Sequence, residues 1–538
     1  MGCERFVARA WLGQWASTAR LWFGQAGSDG SNLVGMPSDF PQAAAPSAGH
    51  SKPVPATFVT VLASALAGGM GWGIRGQYGH ETGAMMAGML IALVLVLRLA
   101  PHLPPMASAR AVALATVAMG FGGTETYGQT IGLTQDAPLV GNLAAMRWGM
   151  LGLALKGGIW IGFFGLFLGM GLGGMRYRGR EMLVLMLGII ACHHLGVGWM
   201  NEPFDPDHRL LPRIYFSDDW RWEPGSDLKP RREVWGGLLL AFGAAWAWCA
   251  GARRDVLAGR LALWGFLGGA VGFPLGQSLQ AAHAWHPEWF AGGLWTGLAP
   301  HMNWWNWMET LFGLSFAAVL AGGLVRNRSL IAGPRGAESV DRPWLETGLL
   351  GLHLGLLAAS EWGNFPAIRR WYDPGFHLGF IPMLAVATGR RWAAWLPTVV
   401  TLVPIAGKTF GILLRQQAPA SAASLPIVAI GCGILPLAWG VIEASRWIGV
   451  IRRGTGGEQA LRRVLAGSAW VCFWLNFAVF GFPWPWIPWT ARTPNALFFA
   501  GALAAITALG FGIAGRGVWR HPSPTPSVPP PAGPLPAQ

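Results

Sequence analysis

Arg75, Gln77, His80 and Glu81 close the densest glycine cluster of the chain, Gly68-Gly69-Met70-Gly71-Trp72-Gly73-Ile74-Arg75-Gly76-Gln77-Tyr78-Gly79-His80-Glu81-Thr82. Glycine lets backbones approach closely, so these four side chains are expected to converge. Polar groups of the same kind recur downstream as Glu125, Tyr127 and Gln129, then Gln277, Asn303, Asn306 and Glu309, then Glu361 and Asn364. Acids that face one another raise one another's pKa values, which suits proton coupling or general acid catalysis. The set Arg75, Gln77, His80, Glu81, Glu125, Gln129, Gln277, Asn303, Glu309, Glu361 and Asn364 is therefore assigned to substrate binding. Arg75, Glu81, Glu125, Glu309 and Glu361 are expected to line one shared wet cavity, because ionisable groups beside hydrocarbon are costly elsewhere.

Four more ionisable residues sit deeper in apolar runs: Lys156, His193, His194 and Lys408. A buried lysine needs a partner or loses its proton, so Lys156 is expected to meet Glu125, and Lys408 to meet Glu361. The two histidines read as structural. The longest loop carries Asp205, Asp207 and His208, which could hold a divalent ion or simply be solvated. In this respect it resembles membrane glycosyltransferases that use polyprenyl-phosphate sugars. Their acidic motif lies in the first outer loop, whereas this cluster follows the fifth apolar run. His283, His286 and His301 lack an HExxH partner motif for zinc. The five cysteines form no CxxC pair. No metal and no cofactor is assigned.

The elements that must position these residues are membrane spans. The 538 residues are 52% hydrophobic and 12% charged, with 78 glycines and 32 tryptophans. An ordinary soluble chain carries about twice that charged fraction. The net charge of +14 resides in short loops between apolar runs. That is the positive-inside pattern, and it excludes nucleic acid as the partner in favour of the lipid bilayer. From Ala56 onward there are about fourteen runs near the length of a bilayer span. The arginine-rich loops alternate with loops of acids, histidine and tryptophan. Both termini are then cytoplasmic, and the polar candidates face outward, as in a bacterial plasma-membrane protein.

An internal duplication is expected. Gly268-Gly269 with Gly276-Gln277 copies Gly68-Gly69 with Gly76-Gln77, and Glu309-Thr310 with Arg326 copies Glu81-Thr82 with Arg98. The fold expected is an all-α polytopic bundle with two parallel six-helix repeats, residues 56–252 and 258–444. Two C-terminal helices follow at 462–516. Residues 1–55 are expected to be an amphipathic and disordered extension, in which Met36 is an alternative start. Residues 517–538 are expected to be a disordered Pro-rich tail. No Walker A sequence is present, and no stretch matches a nameable family motif. The leading expectation is a secondary transporter or permease for a small molecule. The alternative is an extracytoplasmic transferase acting on a lipid-linked or cell-envelope substrate.

Overall fold

The computed structural model describes residues 56–333, 342–361, 365–416, 424–480 and 488–511. All belong to the larger of the two units into which the chain divides, Val54–Gln538. The N-terminal extension, the Pro-rich tail, Asn364 and the side chain of Glu361 lie outside what is described.

Among the described residues the chain is all-helical, without strands. The first helices are α1 (Ala56–Arg75), α2 (Glu81–Leu99), α3 (Pro105–Phe121), the short α4 (Gly128–Gln135), α5 (Leu143–Leu172), α6 (Gly179–Met200), α7 (Trp235–Trp246), α8 (Val256–Trp285) and α9 (Trp304–Arg326). After them come α10 (Pro343–Glu361), α11 (Phe380–Thr388), α12 (Thr401–Gln416), α13 (Leu435–Arg453), α14 (Gly457–Phe480) and α15 (Thr493–Gly510). Eleven of the described helices are long and apolar enough to cross a bilayer. The other three expected runs are helical as well. One lies within α10, one is divided between Gly375–Leu378 and α11, and one lies within α14, whose first two turns carry Glu458, Arg462 and Arg463.

Small residues decide how these helices meet. A Cβ at Gly68 would collide with the carbonyl oxygen of Gly313, so α1 and α9 cross with their backbones in contact. The same holds between α5 and α8, where Gly269 lies against the carbonyl of Gly157. Both crossings are antiparallel: Gly157 meets Gly269 while Gly169 meets Ala258. The helix α2 is enclosed by its neighbours, and after Glu81 every residue in it is buried. The helices α5 and α8 have 30 residues each, or about 45 Å at 1.5 Å per residue. The hydrocarbon core is about 30 Å thick, so these two helices tilt or project beyond it. The segments joining α3 to α5, α6 to α7 and α8 to α9 gather at one end of the bundle, where they enclose the site.

Candidate functional site: a charged cavity at one end of the bundle

Arg75 is the last residue of α1, and Glu309 lies in the second turn of α9. The crossing at Gly68 and Gly313 brings them together. Arg75 Nη2 donates to Glu309 Oε1 at 2.9 Å, with both side chains at most 3% exposed. Tyr127 Oη donates to the same oxygen at 2.8 Å. The guanidinium lies over three aromatic rings, 4.5 Å from the centre of Trp72, 5.2 Å from Tyr127 and 5.5 Å from Trp160. Gly76 lets the carboxylate lie against the chain: a Cβ there would stand 2.9 Å from Glu309 Oε2. Asn306 donates its amide to the carbonyl of Gly73, tying the two helix ends.

Above this ion pair opens a cavity of about 540 Å³, within the range of small-molecule sites. Of the residues predicted to bind substrate, Arg75, Gln77, His80, Gln129, Asn303 and Glu309 line it. Glu81, Glu125 and Gln277 do not. Glu81 is the first residue of α2. Gln277 is buried within α8, where its Nε2 donates to Thr134 Oγ1 at 2.7 Å and holds α4 in place.

Glu125 belongs to a second buried cluster. Lys156 Nζ lies 3.2 Å from Glu125 Oε1 and 2.7 Å from Glu233 Oε1, and it also donates to Thr130 Oγ1 and the carbonyl of Thr126. The pairing of Lys156 with Glu125 is as expected. Glu233 is the addition, and it also accepts from the backbone N–H of Phe216 and the hydroxyl of Ser217. One lysine thus anchors the loop between α6 and α7 to α5. Lys408 Nζ donates to the carbonyl of Tyr78 at 2.8 Å, which fixes the turn between α1 and α2.

The anchored loop brings groups that sequence reasoning did not place in the site. Asp218 and Arg231 line the cavity, together with Asp136, Trp305 and Arg492. Tyr215 Oη donates to the carbonyl of Arg231, and the Asp218 N–H donates to the carbonyl of Gln129. Asp136 and Asp218 face each other across Gly132. Burial, followed by the charge of Asp136, pushes the Asp218 carboxyl up to about 6. Burial also raises Asp136. His80 is pushed down to about 3, first by burial and then by Arg75 and Lys408, so its ring is neutral at physiological pH. The cavity therefore offers guanidiniums, carboxylates, a neutral imidazole and four amide side chains. Such a lining can clamp a ligand of mixed polarity and move a proton at Asp218.

Below the ion pair the bundle is filled. Trp72 packs edge-on against Trp160, Phe312 and Phe316 at 4.9 to 5.4 Å between ring centres, and Phe273 stacks on Phe312 at 4.4 Å.

The other candidate groups stay apart. His283 stacks on Trp304 and His286 on Trp289, while His301 packs beside Trp489. Asp205 pairs with His208 at 2.7 Å in an exposed turn. Among the described residues no three His, Cys, Asp or Glu side chains are grouped to share a metal ion.

No protein-family model matches the chain, and comparisons with curated proteins and with solved structures likewise find no match.

Proposed function

We propose that this multi-pass membrane protein binds a small polar molecule, or the polar head of a lipid-linked one, in the cavity around Arg75 and Glu309. It acts on that ligand from one membrane face, as a transferase does. The observation that carries this reading is the aromatic layer of Trp72, Trp160, Phe312 and Phe316 directly beneath the ion pair. Secondary transporters hold their substrate near the bilayer midplane. Glu309 is the sixth residue of α9, about 8 Å along a helix of about 35 Å. The cavity floor thus lies well short of the middle of α9. The floor is also sealed by backbone contacts at Gly68 and Gly313, which resist sliding.

The transporter reading keeps one observation in its favour. Gly76 abuts Glu309 while Gly276 abuts Met308, so the two Gly-Gln segments reach the same level of α9 on different faces. Both segments run antiparallel to α9, as a parallel duplication requires. The arginine-rich connections, placed at the other helix ends, support an outward-facing cavity with cytoplasmic termini.

The test uses Asn303→Cys in a chain cleared of its native cysteines, in vesicles of both orientations. A one-face site reacts with an impermeant maleimide from one side only. Reaction from both sides would establish alternating access and overturn the proposal.

A further inference from the structure

Arg492 borders the cavity just before α15 begins, and α15 ends at Gly510. At that far end Arg462 Nη1 donates to the carbonyl of Leu509 at 2.7 Å. Here, on the opposite side of the bundle, α13 ends and α14 begins. Arg446, Arg453 and Arg463 line a cavity of about 620 Å³ between them. Glu443 lies 2.9 Å from Arg463 and 3.5 Å from Arg446. Arg453 has no carboxylate partner among the described residues. Two guanidiniums therefore share one carboxylate, and a third stands beside them on the same concave surface.

A second cavity of about 680 Å³ shares Arg446 and Arg463 and continues toward Trp439 and Trp470. Its wall is apolar. The Trp439 ring covers Gly467 so closely that a Cβ would collide with it, and Trp470 is 50% exposed. From Arg463 to Trp470 is about 10 Å along α14, which runs beside the candidate span Pro426–Arg453.

We propose that this groove binds an anionic phospholipid, its phosphate held by Arg446, Arg453 and Arg463 and one acyl chain lying along Trp439 and Trp470. Guanidinium pairs with phosphate through two parallel hydrogen bonds, and basic pockets between spanning helices suit anionic head groups. The positive-inside rule explains arginines at helix ends. It does not require three of them to gather around one carboxylate in a hollow that continues as an apolar groove. That continuation favours a lipid over a soluble anion. The excess of positive charge favours an anionic head over a zwitterionic one, whose ammonium would meet the same guanidiniums.

The full chain is purified in detergent and stripped of lipid. Thermal unfolding and native mass spectrometry are then followed as dioleoyl phosphatidylglycerol, dioleoyl phosphatidylcholine or glycerol phosphate is added. Phosphatidylglycerol should raise the midpoint by several degrees and leave a retained adduct, while the other two should not. Arg453→Gln removes the unpartnered charge without breaking an ion pair and should weaken the phosphatidylglycerol response at least fivefold. Arg369→Gln, in an exposed helix elsewhere, should leave it unchanged. An equal response to phosphatidylcholine overturns the anionic head group. An equal response to glycerol phosphate overturns the lipid. An undiminished response in both Arg453→Gln and the triple Arg446→Gln/Arg453→Gln/Arg463→Gln variant overturns the site.

Discussion

Three aromatic rings and one carboxylate surround the Arg75 guanidinium, and that enclosure makes the pair with Glu309 sensitive to loss of either partner. Removing one member of a buried ion pair leaves the other stranded, at a cost of about 3–5 kcal/mol. Arg75→Gln is therefore expected to lower unfolding stability in detergent by about that amount, and the double variant Arg75→Gln/Glu309→Gln by distinctly less. A double-mutant cycle from denaturant unfolding measures both. A cost below about 1 kcal/mol for the single variant would mean that water reaches the pair. Asp218 gives a pH signature. Its carboxyl is pushed up to about 6 from an ordinary 3.8, so the folded state favours the protonated form. Its contribution to stability is full below about pH 4 and is lost as pH rises through 6. Asp218→Asn should therefore stabilise the protein relative to the parent at pH 7.5, and that advantage should shrink toward pH 5. Unfolding midpoints at the two pH values check this, and a constant difference would remove Asp218 as the titrating group.

At the scale of helices, the site depends on how closely α1 approaches α9. The crossing at Gly68 and Gly313 sets the height at which Arg75 reaches Glu309. Overfilling a packed contact costs about 1–3 kcal/mol. Gly313→Ala should show that loss and should also change ligand binding, because the ion pair moves with the helices. Gly322→Ala is the internal control. It lies in the same helix with open space around its Cβ, and it should be neutral or slightly stabilising by helix propensity. An equal loss at Gly322 would show that the Gly313 effect does not come from the crossing. The loop between α6 and α7 is the second positioning element. Lys156 holds Glu233, and through it the strand of chain bearing Asp218 and Arg231. Lys156→Met should therefore release this loop to protease before the bundle unfolds, as limited proteolysis followed by mass mapping would detect.

For the whole molecule, the charged cavity and the arginine groove lie at opposite ends of the bundle. The first site is mixed in charge and floored with aromatic rings, and the second is basic and open to an apolar groove. Cysteines placed at Asp227, near the cavity, and at Thr455, near the groove, should label from opposite sides of intact cells in a chain cleared of native cysteines. On the proposed orientation, Asp227→Cys reacts with an external impermeant maleimide and Thr455→Cys reacts only after permeabilisation. The reverse pattern would invert the molecule without altering either site, and labelling of both from one side would break the assignment of helix ends.

Membrane character, helical class and half of the cavity were legible in the residues themselves. A charge next to a long apolar run is costly wherever it ends up, so Arg75, His80 and Glu309 stand out locally. The same reasoning paired Lys156 with Glu125, because a lysine deep in a span requires a counter-charge. Asp136, Asp218, Arg231, Glu233 and Arg492 carry no such signal. They lie in polar connections, where a charge costs nothing until the chain folds it against something. Only the tertiary structure brings the loop between α6 and α7 back over α4, because that path depends on contacts between residues far apart in the chain. The same limit applies to Glu125 and Gln277. The sequence marks both as unusual, but the packing of α4 against α5 and α8 turns one into a structural ion pair and the other into a tether.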